Sequence, residues 1–432
     1  MVKDIEKQYR KAEKLYNAMQ FKRAAKIFDD VGDSYIKLGN FELARDCYFD
    51  AAKCSMKEDK YFIGLEFLRK AGNASLFRYE FLEANQFFRE ALNYVPNLRS
   101  ISDRNQNYVL FSCLSFLCHF VKGEKDEGLK IVKRIKNSVD DKYFKENSLI
   151  RLITNLTMVS KEKHEKYIER IKKDFNNLKF REAEIILTKQ ALVIGKTYTS
   201  LIIELKIDKE VYTTNEVIKL IMRIDSNPLS ELTKQDFYNY SFNELKINKI
   251  GVILSDNLTS QKRPDLPFVI QSDQIKDIYF LIKPHFQMEE SVIGPSSLDF
   301  ELNGGLIFTY ENPQLLKPKL ISPPPSLDIS IKNLRPPLID QSFPLEILIE
   351  NNSEGEAINL NIEIEFPEQI KVMRGTLKKQ IYSLRSNENL KWEINLKPTE
   401  AGDYVIKIKS KFNDPDQNLV EDTKEFPFPI KL

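Results

Sequence analysis

The side chains best suited to metal or acid–base chemistry are few in this sequence and lie far apart. Its three histidines are His119 in an apolar stretch, His164 in a charged run and His285 in a polar segment. Zinc sites usually hold their histidines and cysteines in pairs a few residues apart, and no two of these histidines have that spacing. We therefore predict no metal ligands.

The four cysteines also lack a pattern that would point to chemistry. Cys47, Cys54, Cys113 and Cys118 are spaced like neither a zinc cluster nor a disulfide framework. A free cysteine commonly behaves as a small apolar core residue. We expect four buried, reduced thiols.

Motifs for phosphate binding and for nucleophilic catalysis are missing from the sequence. It contains no GxxxxGK[ST], GxGxxG or GxSxG segment, and the pair Gly304 and Gly305 between two apolar segments predicts a hairpin turn. Carboxylates are abundant, but on amphipathic helices they usually form solvated faces. We predict no catalytic residue, no cofactor-binding residue and no cofactor, and hence a protein that is not an enzyme.

The overall charge gives little attraction for polyanions. The 65 Lys and Arg nearly balance the 63 Asp and Glu, for a net charge of +2, so we expect no nucleic-acid partner. Lys22, Arg23, Arg45, Arg69 and Arg89 could form a basic strip for an acidic helical partner. They occupy mixed phases of the helical pattern, which favours solvated side chains.

Two features bear on cellular location. The first residues, MVKDIEKQYRKAEKLY, are charged and lack the apolar core of a secretory signal. The longest apolar stretch, residues 108–121, is too short and too polar to span a bilayer, and it predicts a buried helix. We expect a cytoplasmic protein with at most peripheral association with a membrane.

Proline and alanine divide the chain into two classes of secondary structure. Pro96 is the sole proline before Pro228, and Ala357 and Ala401 are the two alanines after Ser200. Because proline breaks helices and alanine favours them, the chain should be helical to about residue 195 and β-rich thereafter.

The helical part contains a repeat of 20 residues. An aromatic residue is followed by small and large apolar residues in steps of three and four, which places them on one helix face. The four copies are Phe21, Ala24, Phe28, Val31; Phe41, Ala44, Tyr48, Ala51; Tyr61, Gly64, Leu68, Ala71; and Phe81, Ala84, Phe88, Ala91. Each copy predicts one helix, each pair an antiparallel hairpin, and about ten helices together a solenoid over residues 1–195.

These repeats resemble a known family. The segment FKRAAKIFDDVGDSYIKLGNFELARDCYFDAAKCSMK, residues 21–57, is similar to the tetratricopeptide-like hairpins of the soluble NSF-attachment proteins (SNAPs), and residues 79–97 and 108–135 follow in the family's order. The resemblance implies binding of SNARE helical bundles by the array. It also implies recruitment of the NSF ATPase by a carboxyl-terminal tail, but this chain departs from the family there and continues into strands.

The remaining chain predicts two β-sandwiches. Alternation of apolar residues begins at Leu201, Ile203 and Leu205 and predicts a sandwich over residues 196–320. Prolines 323–325 form a stiff spacer. Seven strands are then expected over residues 326–432, as in an immunoglobulin-like sandwich, with Tyr404 in a tyrosine-corner turn and Trp392 in the core.

The sequence therefore predicts a multidomain α-then-β protein whose parts bind other proteins. A solenoid followed by immunoglobulin-like domains also resembles, in architecture, the accessory subunits of TRAPP tethering complexes. We expect a non-enzymatic adaptor in vesicle or membrane traffic with SNARE-like or other helical partners. The alternative is a fixed structural subunit of a tethering or coat complex, and a third class is a lipid or sugar binder. The sequence does not identify the protein-binding residues.

Overall fold

The amino-terminal region is built from helices, as the alanine-rich repeat predicts. The computed structural model describes residues 2–229, 244–271, 273–286, 288, 290–302 and 305–431. Eleven α-helices lie within these residues, all before the first strand. They are α1 Val2–Asn17, α2 Phe21–Lys37, α3 Phe41–Lys57, α4 Tyr61–Phe77, α5 Phe81–Tyr94, α6 Ile101–Val121, α7 Lys125–Ser138, α8 Asp141–Glu146, α9 Ser148–Glu162, α10 Glu165–Phe175 and α11 Glu182–Ser200. The apolar stretch 108–121 lies in α6 and is almost wholly buried.

The 20-residue repeat appears in the structure as a repeated helix-ending turn. Met19, Gly39, Asp59 and Tyr79 all have positive φ, between 55° and 71°. At each turn the next backbone N–H bonds to a carbonyl five residues earlier, as from Asn40 to Tyr35 at 2.9 Å. This is the Schellman arrangement, in which glycine is the favoured residue at the positive-φ position.

Substitutions at these turns should change stability in opposite directions. Gly39→Ala places a side chain in a left-handed conformation and should lower the free energy of unfolding by about 1 kcal/mol. Met19→Gly should raise it, because the exposed Met19 has the same strained backbone. Chemical denaturation of both variants tests this, and a loss of stability in both would contradict it.

Glycines inside the even-numbered helices show that two helices form one unit. A Cβ on Gly32 would lie 2.7 Å from the Tyr48 ring, and one on Gly72 would lie 2.5 Å from the Phe88 ring. The aromatic side chains of α3 and α5 thus pack directly on the backbones of α2 and α4. The same contact recurs after two repeats, so α2–α3 and α4–α5 are equivalent hairpins.

Helix α11 crosses the helical region instead of extending the row of hairpins. It contacts α4, α6, α9 and α10 and is buried over most of its length. The predicted end of the helical domain, residue 195, lies within α11, and the change to β-structure comes between Ser200 and Ile202. The last helix is therefore a central packing element of the array.

The first β unit has two four-stranded antiparallel sheets, in the orders β1-β3-β7-β5 and β6-β4-β8-β9, and a short parallel pair, β2 with β10. The strands are β1 Ile202–Ile207, β2 Val211–Thr213, β3 Ile218–Asp225, β4 Glu244–Leu254, β5 Leu258–Lys262, β6 Phe268–Gln271, β7 Ile275–Pro284, β8 Ile293–Leu302, β9 Leu306–Asn312 and β10 Lys319–Ile321. Leu302 pairs with Leu306 across the β8–β9 turn. In the predicted glycine turn, Gly304 lies outside the described residues.

The second β unit repeats the same strand order. Its sheets are β11-β12-β16-β14 and β15-β13-β17-β18, formed by β11 Leu327–Asn333, β12 Phe343–Asn351, β13 Ala357–Glu365, β14 Ile370–Arg374, β15 Lys378–Leu384, β16 Asn389–Pro398, β17 Gly402–Asn413 and β18 Leu419–Ile430. The prediction of seven strands was wrong, since eight lie in the described residues. The two edge strands β14 and β15 are short, with five and seven residues, so neither gives a long alternating run.

The hydrophobic cores join the first β unit to the helices. One continuous cluster of buried apolar side chains runs from α1 to Leu320, whereas the second β unit has its own cluster from Leu327 to Ile430.

The proline linker is fixed by polar contacts: Ser322 donates to Asp416 at 3.0 Å, and the Ser326 N–H donates to Ser353 at 2.8 Å. Among the described residues, no helix is long and apolar enough to cross a membrane.

Candidate interaction surfaces

The basic residues considered as a strip do not form one. Lys22, Arg23 and Arg89 are exposed, whereas Arg45 and Arg69 are partly buried and form ion pairs within the chain. Arg45 binds Glu83 at 2.7 Å between α3 and α5. Two of the five cations are thus neutralised by the fold.

Arg69 belongs to a buried polar cluster that fastens α4 to α11. Its guanidinium donates to both oxygens of Glu184 at 2.6 and 2.7 Å. Glu184 is completely buried and also accepts from Asn73 at 3.1 Å and from the Arg181 backbone N–H at 3.0 Å. A buried carboxylate with this many donors is stabilised only while they all stay in place. The cluster is structural.

The three histidines lie in separate environments. His119 is buried in α6, where the Asn85 amide lies 3.0 Å from Nε2 and Glu124 Oε2 lies 2.5 Å from Nδ1. Since the amide donates, Nε2 accepts and Nδ1 carries the proton given to Glu124. His164 caps α10, and His285 Nε2 lies 2.7 Å from the Thr259 hydroxyl. No three His, Cys, Asp or Glu among the described residues are grouped as metal ligands.

The four cysteines are free and buried, as the sequence predicts. Burial raises the thiol pKa of Cys47 and of Cys54 to about 12, with nearby Asp50 contributing in the same direction. Burial raises the pKa of Cys113 and Cys118 further. These thiols remain protonated at neutral pH and are poor nucleophiles.

Large apolar side chains are exposed on two neighbouring helix turns. Leu38, Leu43, Tyr79 and Leu82, which we call the turn edge, are 41 to 58% exposed. They lie on the α2–α3 and α4–α5 turns, which are held together by a stacked aromatic pair with ring centroids 5.0 Å apart. Ion pairs of 2.7 Å, Arg78–Glu42 and Arg45–Glu83, border them. The turn edge is a fixed apolar surface with a charged border.

A second surface is a cleft where the helices meet the first β unit. It has a volume of about 550 Å³, and its walls are the α6–α7 turn, the end of α9 and β9. Phe116 and Phe120 supply apolar surface, and the charged lining residues are Glu124, Lys125, Asp126, Glu127, Lys161 and Glu311. Four carboxylates and two amines give the cleft an acidic excess, which disfavours anions.

Two lysines beside this cleft lie on tyrosine rings. Lys125 Nζ is 4.9 Å from the centroid of Tyr198, and Lys163 Nζ is 3.6 Å from that of Tyr310. Lys163 also donates to the Glu311 carbonyl. Burial first, and then the charge of Lys125, lowers the pKa of Lys163 to about 8.

The lowered pKa of Lys163 predicts a specific pH dependence. Below pH 8 the Lys163 ammonium is protonated in both the folded and the unfolded chain, and its charge is better hydrated in the unfolded chain. Lys163 therefore destabilises the fold at these pH values. The penalty should fall as the pH rises from 8 toward the ordinary lysine pKa of about 10.4. Lys163→Met should therefore gain more stability relative to wild type at pH 7 than at pH 9.5. An equal difference at both pH values in denaturation experiments would contradict this.

The outer face of sheet β15-β13-β17-β18 is covered by charge. Lys378–Glu363 and Lys407–Glu425 are 2.7 Å apart and Lys411–Glu421 is 2.5 Å apart. A fourth pair joins Lys409 to Glu365. Exposed ion pairs of this kind contribute little and favour hydration, so this face is a poor apolar docking surface.

Two residues singled out in the second β unit have structural contacts. The Tyr404 hydroxyl donates to the Glu400 carbonyl oxygen at 3.5 Å. This is the contact expected of a tyrosine corner, at a distance that is long for a hydrogen bond. Trp392, predicted to lie in the core, is half-buried and packs against the core cluster without belonging to it. Its indole N–H is buried and has no hydrogen-bond partner in the described residues.

Comparison with known proteins gives little further information. No protein-family model matches the chain, and no curated protein is detectably similar to it in sequence. Among solved structures, a transglutaminase from red sea bream aligns with 59% of this chain at 10% identity and a TM-score of 0.20. The aligned part spans 34% of that protein. A similarity this low carries no argument about fold or activity.

Proposed function

We propose that this protein is a non-enzymatic adaptor that binds a helical segment of a partner protein at the turn edge. The observation that carries the proposal is the exposure of Leu38, Leu43, Tyr79 and Leu82 on two turns fixed to one another. Exposed apolar patches rimmed by polar groups commonly mark interaction sites. An amphipathic helix has an apolar stripe flanked by charges, which complements an apolar edge bordered by ion pairs.

The setting we propose is vesicle or membrane traffic, with a SNARE-like helical bundle as the partner class. The helical region is in this proposal a tetratricopeptide-like, SNAP-like solenoid, supported by the equivalent Gly32–Tyr48 and Gly72–Phe88 contacts. The β units are immunoglobulin-like sandwiches in this proposal, supported by their shared strand order, in which three strands of each sheet correspond to A-B-E and C-F-G. The protein is cytoplasmic and at most peripheral to a membrane.

The central position of α11 limits which surfaces of the helical region a partner can reach. In a solenoid the face formed by alternate helices is the usual binding groove. Here α11 packs against α4 and α6, so in the proposed solenoid it would occupy the part of the groove that they line. The turn edge, at the ends of the helices, stays accessible beside it.

The test uses the full chain and a purified four-helix SNARE bundle, with a two-stranded leucine zipper as a control. Wild type should bind the bundle, and the double variant Leu43→Glu with Tyr79→Glu should bind at least about tenfold more weakly, since it buries charge in the interface. Lys22→Glu with Arg89→Glu, at two exposed residues outside the turn edge, is the matched control and should bind normally. Unchanged binding by the turn-edge variant would reject the proposal.

A second candidate function is a fixed structural subunit of a tether or coat. It is favoured by the core that the helices share with the first β unit and by the polar contacts that fix the linker. Such a subunit would stay in one large complex in cell extracts. Size-exclusion chromatography of native extracts separates the two candidates, because an adaptor gives a substantial free fraction.

A further inference from the structure

In the first β unit, part of one strand edge has no partner strand among the described residues. The equivalent edge in the second β unit is paired. In the second unit β15 pairs with β13 along residues 357–363. In the first unit β6, at the same place in the strand order, pairs with β4 only from Glu244 to Ile247. Residues 248–254, which we call the β4 edge, continue to pair with β8 on the other side. They have no ladder partner on the β6 side among the described residues.

The chain's own neighbouring segment does not complete the ladder. Residues 263–267 connect β5 to β6 and contain Pro264 and Pro267, which have no N–H to donate. No backbone hydrogen bond joins this segment to β4 within the described part of the chain. Between two bulges, Lys249 to Val252 keep a regular register with β8, so this part of the edge has the geometry of an ordinary strand.

An apolar cavity lies beside this edge. Its volume is about 90 Å³, close to that of a valine or leucine side chain, and it opens between the two sheets. Ile250, Val252, Leu220 and Phe280 supply apolar walls, and Ser260 and Arg263 also line the cavity. An added strand gains affinity from main-chain hydrogen bonds and specificity from pockets for alternate side chains.

The charges around the edge indicate the composition of the added strand. Lys249, Lys262 and Arg263 are exposed, and no ion pair with a described residue neutralises them. Asp256 and Asp265 lie between or beside them in the sequence, and Asp299 lies opposite Lys249 in the β4–β8 ladder, where it accepts a hydrogen bond from Thr309. The three cations without an ion pair favour an acidic strand, because complementary charge aligns a partner and rejects those of like charge.

We propose that the β4 edge binds an extended segment of a partner protein in which apolar residues alternate with acidic ones. The segment adds as a strand beside residues 248–254, places one apolar side chain in the cavity and sets its carboxylates against Lys249 and Lys262. This second contact rests on the proposed adaptor function, since it joins another protein to the one held at the turn edge. The two surfaces are on different parts of the chain.

Synthetic peptides and the full chain test this proposal. The probe is a labelled peptide of alternating glutamate and valine, measured by fluorescence anisotropy, with amide hydrogen exchange to locate it. We expect this peptide to bind and to protect residues 248–254 from exchange. A lysine–valine peptide and an acidic peptide with N-methylated backbone should bind at least about tenfold more weakly, since they lose the charge pairing or the ladder.

Variants separate this site from the turn edge. Lys249→Glu with Lys262→Glu should weaken binding of the acidic peptide about tenfold and improve binding of the lysine–valine peptide. Lys332→Glu, on the second β unit, is the matched control and should change neither. The turn-edge double variant should still bind the acidic peptide. Equal binding of the N-methylated peptide, or exchange protection elsewhere than residues 248–254, would overturn the strand-addition proposal and leave the SNARE-bundle result unaffected.

Discussion

Replacing Glu184 with glutamine should lower the free energy of unfolding by about 3–5 kcal/mol, because the largely buried Arg69 guanidinium loses its bidentate partner and keeps only the Glu66 carboxylate, 3.9 Å away. The side chain of Arg69 is 12% exposed and that of Glu184 is not exposed at all. Both hydrogen bonds of the pair, at 2.6 and 2.7 Å, join α4 to α11. Urea denaturation followed by circular dichroism measures the loss.

A second variant shows whether the loss of stability comes from the charge of Arg69 that Glu184 no longer neutralises. Arg69→Met combined with Glu184→Leu removes both charges and should recover most of the stability, since apolar replacement of a buried pair is often neutral. Glu127→Gln, in the exposed pair with Lys130 at 2.6 Å, is the control and should cost less than about 1 kcal/mol. A double variant as unstable as Glu184→Gln would contradict the explanation.

Tyr198→Ala should destabilise the protein by about 3–5 kcal/mol, as expected for loss of a buried large aromatic side chain. Tyr198 ends α11 and packs edge-on against Phe308 at 5.3 Å and stacked on Tyr310 at 6.1 Å. Its hydroxyl donates to the Thr309 carbonyl at 2.8 Å. The substitution therefore removes one of the contacts through which the helices and the first β unit share a core.

Two probes distinguish loss of this coupling from a general loss of stability. Circular dichroism at helical wavelengths follows α1 to α11, and fluorescence of Trp392 follows the second β unit. In Tyr198→Ala the helical transition should move to lower denaturant, while the Trp392 transition moves less. Tyr382→Ala, at a tyrosine that is 82% exposed, is the control. A loss below about 1 kcal/mol for Tyr198→Ala would contradict the assigned role.

The periodic elements were predictable because their signal is local. The 20-residue repeat fixes which face of α2 to α5 is buried, and the change in proline and alanine content places the transition from helix to strand within a few residues of Leu201. Alternation at Leu201, Ile203 and Leu205 predicted the start of the β region, where β1 lies. Short edge strands such as β5 and β6, with five and four residues, contain too few residues to give a clear alternating pattern.

The sequence by itself determined that the chain is helical and then β-rich, that its repeat forms hairpins, and that its cysteines are buried thiols. These features depend on residue spacing along one element. The tertiary structure decided that Arg69 meets Glu184, that α11 packs against α4, α6, α9 and α10, and that the β4 edge has no ladder partner on the β6 side among the described residues. Each of these joins residues distant in the sequence, or depends on the length of a neighbouring strand, and no local pattern specifies such a relation.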